Sequence, residues 1–329
     1  MALISVTAGG LYCPAGDFYI DPWRPAPRAV ITHAHGDHLR AGSERYWLSR
    51  AGESLARRRL PPDARVCALD YGEVLELGGV RVSLHPAGHV LGSAQVRLEH
   101  RGEVWVVSGD YKRDPDPTCA PFEVVPCDVF ISEATFALPV YRWTPTAAVA
   151  ADILAWWQAN RERGIASVLF AYALGKAQRV LAELAALTHE SVYTHGAVEN
   201  LVVAYREAGI AMLPTLSPAT TRRADYAGAL VVAPPSAAGS TWMRRFGEVS
   251  TGFCSGWMRV RGDRRRRGCD RGFVLSDHAD WPSLLRTFRE TGARRILLTH
   301  GHTETMCRYL REQGIDAAAL ATDYGAEDA

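Results

Sequence analysis

A chain of 329 residues, 47% apolar and 22% charged, is long enough to bury one large core or two and has the composition of a globular protein. Its formal net charge of +1 excludes a global field for nucleic acid or membrane, so any basic footprint must be local. Seven scattered cysteines without a Cys-x-x-Cys pair exclude a disulfide framework. They point to reduced thiols and a cytoplasmic location. Residues 1–10 carry no signal-peptide pattern, and no segment reaches the length of a membrane span.

Residues 3–7 and 17–20 read as short strands, with Asp21 closing the second. Asp21 either orients an imidazole from behind or caps the turn before Pro22. The most informative run follows: Ala29-Val30-Ile31-Thr32-His33-Ala34-His35-Gly36-Asp37-His38. Its apolar and β-branched start predicts a buried strand, and its three imidazoles and carboxylate are ligands for a metal such as zinc or manganese. Alternate residues of an extended segment share a side, so His33 and His35 can grip one ion. Gly36 is expected to turn the backbone tightly and aim Asp37 and His38 at a second point.

Residues 40–52 read as a polar loop or short helix, and Arg57-Arg58-Arg59 as a solvated basic face in preference to a phosphate site. Strands are predicted at 65–69, 73–77 and 81–85. His89 follows on a glycine-flanked loop, and residues 94–99 and 104–108 form a hairpin across Arg101-Gly102 that leads to Asp110. His85 has no such flank and is assigned to core or surface. Residues 128–132 form another buried strand, with Glu133 just past its end.

Near residue 140 the rhythm changes. Thr144-Pro145 opens an amphipathic helix, and strands at 167–171, 191–194 and 229–233 alternate with helices at 176–187 and 198–208. That alternation predicts a small parallel sheet covered by helices. Lys176 opens one helix, either as a phosphate-binding residue or as an ordinary exposed helix start. Arg259, Arg261, Arg264, Arg265, Arg266, Arg267 and Arg271 crowd one stretch, which favours contact with a nucleic-acid backbone. Two strand–His–helix units close the chain, around Ser276-Asp277-His278 and Thr299-His300-Gly301-His302. Strand ends are where α/β proteins build sites.

Collected together, His33, His35 and His89 are expected to hold one divalent ion and Asp37, His38 and His300 a second, with Asp110 bridging. A water shared by two cations loses its proton near neutral pH and attacks phosphorus, while the cations neutralise the charge that builds in the transition state. His278, left over from the ligand count, is assigned as general acid for the leaving oxygen. Glu133 orients it and keeps it protonated.

These residues carry a resemblance. His33-x-His35-x-Asp37-His38, Ala87-Gly88-His89-Val90-Leu91-Gly92 and Ser108-Gly109-Asp110-Tyr111 resemble successive motifs of the metallo-β-lactamase fold. Glu133 in Ser-Glu-Ala-Thr, His278 in Leu-Ser-Asp-His-Ala-Asp and His300 in Thr-His-Gly resemble the extra motifs of β-CASP nucleases. Asp21 and the run Ala173-Leu174-Gly175-Lys176-Ala177-Gln178 also match that family's pattern. The compact length is most similar to bacterial ligase-associated DNA exonucleases.

The resemblance implies an αββα sandwich whose first part is 1–140 and whose return segment is 269–329, interrupted by a β-CASP-type domain over 141–268. It implies two Zn2+ or Mn2+ ions and a nuclease acting on single-stranded DNA, 5′→3′, in DNA repair, with a DNA ligase and a helicase as associates and no membrane. Two departures, His302 after the motif glycine and Asp277 before His278, bear on substrate grip and on DNA against RNA. The rival expectations are an RNA-processing β-CASP ribonuclease, a thioester or lactam hydrolase on the same scaffold, and a binding module with a structural metal.

Overall fold

The computed structural model describes residues 2–218, 226–262 and 268–322. They form a mixed α/β protein with three sheets and divide into two compact units, 1–141 with 278–329 and 142–277. The second unit runs past Gly268 to Asp277. Arg271–Phe273, expected in the return segment, instead pairs in parallel with Val249–Cys254 at the edge of the second unit's sheet.

The first unit contains two of the sheets. One runs in spatial order from Ser5–Thr7 through Gly10–Cys13, Phe18–Ile20, Ala29–Val30 and Tyr46–Ser49 to Val66–Leu69. The other places Arg295–Gly301 beside Val129–Ala134, then Glu103–Val107, Ala94–His100, Val80–Pro86 and Val74–Leu77, with Asp316–Ala319 outside Arg295–Gly301. Leu11, Phe18, Ile20, Val30 and Trp47 of the first sheet share a core with Val82, Leu84, Val96, Leu98, Trp105 and Val107 of the second.

Alternation along the strands then sets the outer layer. Trp105 and Val107 point into that core, whereas Val106 between them joins Phe130, Ile296 and Leu298 on the opposite face. Against this second face pack Leu284 and Phe288 of helix Trp281–Glu290 and Met306, Cys307 and Leu310 of helix Thr303–Glu312. A strand buried on both faces has to be apolar at successive positions, as Val129-Phe130-Ile131 is.

Two local readings need correction. Tyr46–Ser49 is a fully buried strand inside the stretch read as a polar loop. Glu133 lies within its strand, not beyond it, at a point where the pairing with Arg295–Gly301 slips register. Such a bulge re-aims a side chain, and here it is the Glu133 carboxylate.

The second unit's sheet is wholly parallel, ordered Thr215–Leu216, Val192–Thr194, Leu230–Ala233, Ala166–Phe170, Val249–Cys254 and Arg271–Phe273 among the described residues. Helices Lys176–Ala185 and Gly196–Glu207 supply crossovers between its strands, and Thr146–Glu162 leads into the first of them, Ala166–Phe170. Val249–Cys254 was not anticipated. Gly252 interrupts its apolar pattern because Trp156, Leu169 and Phe273 leave only 3.0–3.1 Å around its absent Cβ.

Candidate metal centre

The chain leaves the strand Ala29–Val30 and wraps a turn in which His38 N–H and Leu39 N–H both reach the His35 carbonyl, at 3.2 and 2.8 Å. Gly36 lies in this tight turn, as expected, without a positive φ. What the turn uses is its missing side chain.

His33 Nε2 and His89 Nε2 each lie 3.1 Å from His35 Nδ1. Asp110 Oδ2 completes the group at 3.4 Å from His33 Nε2 and 3.8 Å from His89 Nε2. These four ligand atoms lie within 4.8 Å of one another and are able to hold one ion. On the other side of the same carboxylate, Oδ2 is 3.5 Å from His38 Nε2 and Oδ1 is 3.2 Å from His300 Nε2. Asp37 Oδ2 is 3.6 Å from His38 Nε2. Asp110 therefore faces both sets.

Glycines make its approach feasible. Gly109 has φ 56°, and a Cβ there would meet Thr32 at 2.6 Å; Gly301, after His300, has φ 86° and would meet the Ala134 carbonyl at 2.3 Å.

Several imidazoles are oriented from behind. Asp21 is buried, with φ 44°, and accepts from Thr32 N–H at 2.8 Å, Thr32 Oγ1–H at 2.5 Å and His38 Nδ1–H at 2.8 Å. Because Thr32 Oγ1 gives its proton to Asp21, it accepts from His33 Nδ1–H at 3.0 Å. Thr299 Oγ1 likewise donates to the Ser132 carbonyl and accepts from His300 Nδ1–H at 2.9 Å. In all three histidines Nδ1–H points outward, so Nε2 of His33 and of His300 presents a lone pair inward and Nε2 of His38 does so once its own proton is displaced. Thr32 and Thr299 were missed by the sequence reading, although a repeated Thr-His pair, Thr32-His33 and Thr299-His300, was there to see.

The donor set fits a divalent metal. The inward nitrogens of His33 and His300 converge on a carboxylate whose two oxygens are buried without a conventional hydrogen-bond partner. Acceptors facing acceptors repel unless a cation lies among them. Burial alone would raise the Asp110 carboxyl, but His38, His300 and His33 outweigh it and hold it well below the usual carboxylate range. Burial also pushes His33 down, whereas Asp110 and Asp21 overcome burial at His38 and draw it up to about 10. A cation arriving at His38 has a proton to displace.

Glu133 spans the remaining pair. Its Oε1 accepts from Tyr111 N–H at 2.8 Å and its Oε2 from His278 Nδ1–H at 2.8 Å, leaving His278 Nε2 as the working atom. The His278 ring packs 4.7 Å from His89. Asp110, Glu133 and His278 also satisfy ion-holding spacing, so ligand and proton donor are both chemically open to His278.

The basic candidates fare differently. Lys176 is buried and not at an exposed helix start: its Nζ lies 3.5 Å from Asp277 and 4.6 Å from the Tyr172 ring centroid. Arg259 and Arg261 are exposed, and Arg264, Arg265, Arg266 and Arg267 lie outside the described residues. His85 stands apart from the cluster, bonded to Ser83 and Glu123.

The fold and site define a mixed α/β protein with a His/Asp cluster able to bind metal. A protein of Opitutus terrae named "Probable DNA ligase" is 34% identical over 319 residues, covering 95% of this chain and 31% of that protein. Two fungal proteins named "Endoribonuclease ysh1" are similar over shorter spans. The Schizosaccharomyces pombe protein is 31% identical over 119 residues (36% of this chain, 16% of its own length) and the Aspergillus fumigatus protein 30% over 142 (42% and 15%). The chain thus spans less than a third of each of these relatives. Among solved structures, a protein of unknown function from Enterococcus faecalis V583 shares the fold, with TM-score 0.59 and 12% identity, over 90% of this chain and 80% of that one. No protein-family profile matches the chain. No helix among the described residues is long and apolar enough to cross a membrane.

Proposed function

We propose that the chain is a metal-dependent phosphodiesterase of the metallo-β-lactamase/β-CASP type that hydrolyses nucleic acid, with single-stranded DNA cleaved 5′→3′ from an end as the preferred reaction. One observation carries the reading: a buried carboxylate, Asp110, set between two groups of inward-facing imidazoles. The likeness to a ligase-named protein over nearly the whole chain supports DNA repair, with a ligase as functional associate and a helicase as a further one. The endoribonuclease likeness makes RNA the competing substrate.

His33, His35, His89 and Asp110 would hold one cation and Asp37, His38, His300 and Asp110 a second. Two such cations, zinc or manganese, supply a water acidic enough to attack phosphorus at neutral pH and a counter-charge for the phosphate oxygens. Asp21, Thr32 and Thr299 keep the ring protons on Nδ1, so the inward nitrogens stay basic. His278, held at Nδ1 by Glu133, delivers a proton from Nε2 to the leaving oxygen. A thioester or lactam hydrolase would leave that histidine without a task.

The test is digestion of end-labelled single-stranded DNA and RNA of one sequence with Zn2+ or Mn2+, by the native chain and by His278→Ala. Mononucleotides from the 5′ end of DNA are expected, with His278→Ala at least roughly a hundredfold slower and both metals retained. A ladder from RNA alone would shift the substrate to RNA, lost metal in the variant would make His278 a ligand, and no cleavage of either strand would sink the proposal.

A further inference from the structure

The Arg57-Arg58-Arg59 run divides its labour. Arg57 closes helix Glu53–Arg57 by pairing with Glu53 one turn back, Nη2 to Oε1 at 2.7 Å. That is the solvated ion pair expected of such a run. Arg59 does something else. Its Nη2 lies 2.8 Å from where a Cβ on Gly36 would stand, so the guanidinium lies against the turn that carries His35, Asp37 and His38. The absent side chain of Gly36 is what admits it.

The residue remains exposed, yet burial of its charged end pushes the guanidinium below its usual value, with Asp37 the carboxylate that opposes the shift. Among the described residues Arg59 makes no ion pair. A planar fork that reaches solvent and lies against a metal-binding turn is suited to an oxyanion. A phosphate oxygen is that ligand's chemistry.

We propose that Arg59 binds a phosphodiester group of the substrate strand next to the one being cleaved; the inference rests on the nucleic-acid reading above. Arg59 grips the backbone and takes no part in the ligand set.

Fluorescence anisotropy of a labelled single-stranded oligodeoxynucleotide, titrated at several salt concentrations with Mn2+ present, tests this. Arg59→Ala should bind roughly tenfold more weakly, with the slope of log affinity on log salt reduced by about one. Arg59→Lys should restore the slope but only part of the affinity, because an ammonium lacks the fork. Arg57→Ala is the control for loss of a surface charge and should change neither. An unchanged slope in Arg59→Ala, the same change in Arg57→Ala, or lost metal in Arg59→Ala by elemental analysis would each overturn the proposal. Native protein that binds DNA without cleaving it sinks the nuclease reading but leaves Arg59 standing; native protein that binds no strand sinks both.

Discussion

Each unit buries a cluster of charge, and the two clusters are built on opposite principles. In the second unit Asp277 lies 3.5 Å from both Lys176 Nζ and Arg179 Nη1, while Arg179 also donates to the Ser276 carbonyl at 2.6 Å and to Thr146 Oγ1 at 2.5 Å. Donors there meet acceptors. In the first unit Asp110 meets the inward nitrogens of His33, His38, His89 and His300, whose protons are engaged elsewhere or have to be displaced. One cluster pairs opposite charges within the protein; the other becomes favourable only around a cation. Buried charge marks a ligand site when its partners have the wrong sign for each other.

The comparison breaks most sharply at Asp110. Asp110→Ala or His89→Ala should remove bound metal and slow hydrolysis at least roughly a thousandfold, because a cation supplies several kcal/mol of transition-state stabilisation. The folded content seen by circular dichroism should stay the same. Retained metal, measured by elemental analysis, would show that the cluster is self-sufficient after all.

The next largest effect belongs to the other cluster and falls on stability. Arg179→Ala should cost about 3–5 kcal/mol in denaturant unfolding, since removing one partner strands a buried charge. Metal content of the folded fraction should not change. A loss below about 1 kcal/mol would mean that Lys176 alone neutralises Asp277.

The smallest effect sharpens the picture of how ligands are aimed. Asp21→Asn keeps the shape but cannot accept from Thr32 and His38 at once with full charge, and metal affinity should fall about 10–100-fold. Equal affinity in native and variant protein, by competition with a chelator, would reduce Asp21 to the turn-capping role that the sequence also allowed.

What could be read from the sequence follows from what each residue type discloses. Imidazoles and carboxylates at strand ends announce a metal by their chemistry, and Ala29-Val30 followed by the histidines is legible because strand and site are contiguous. Thr32 and Thr299 disclose nothing by type, since a threonine acquires a role only from which oxygen accepts and which proton is given away. The same limit hid Arg59, one of three identical neighbours until the Gly36 turn distinguished it.

On the fold side, period-2 patterning revealed the strands at Val80–Pro86, Ala94–His100 and Glu103–Val107. It failed at Tyr46–Ser49, whose polar flanks masked four buried residues, and at Val249–Cys254, where packing demanded a glycine. The slip at Glu133 was beyond reach because a bulge is a property of two strands, not one.

The pairing of Val129–Ala134 with Arg295–Gly301 also sets an order of events during synthesis. Between those two neighbours in the sheet the ribosome has to make the entire second unit. Until then the earlier strand offers a bare, apolar edge to other chains, and His278 and His300 have not emerged. The nascent protein can gather His33, His35, His89 and Asp110 first, so a partial ligand set precedes the full one. Slow translation through the second unit would prolong the exposure of that edge and with it the hazard of aggregation.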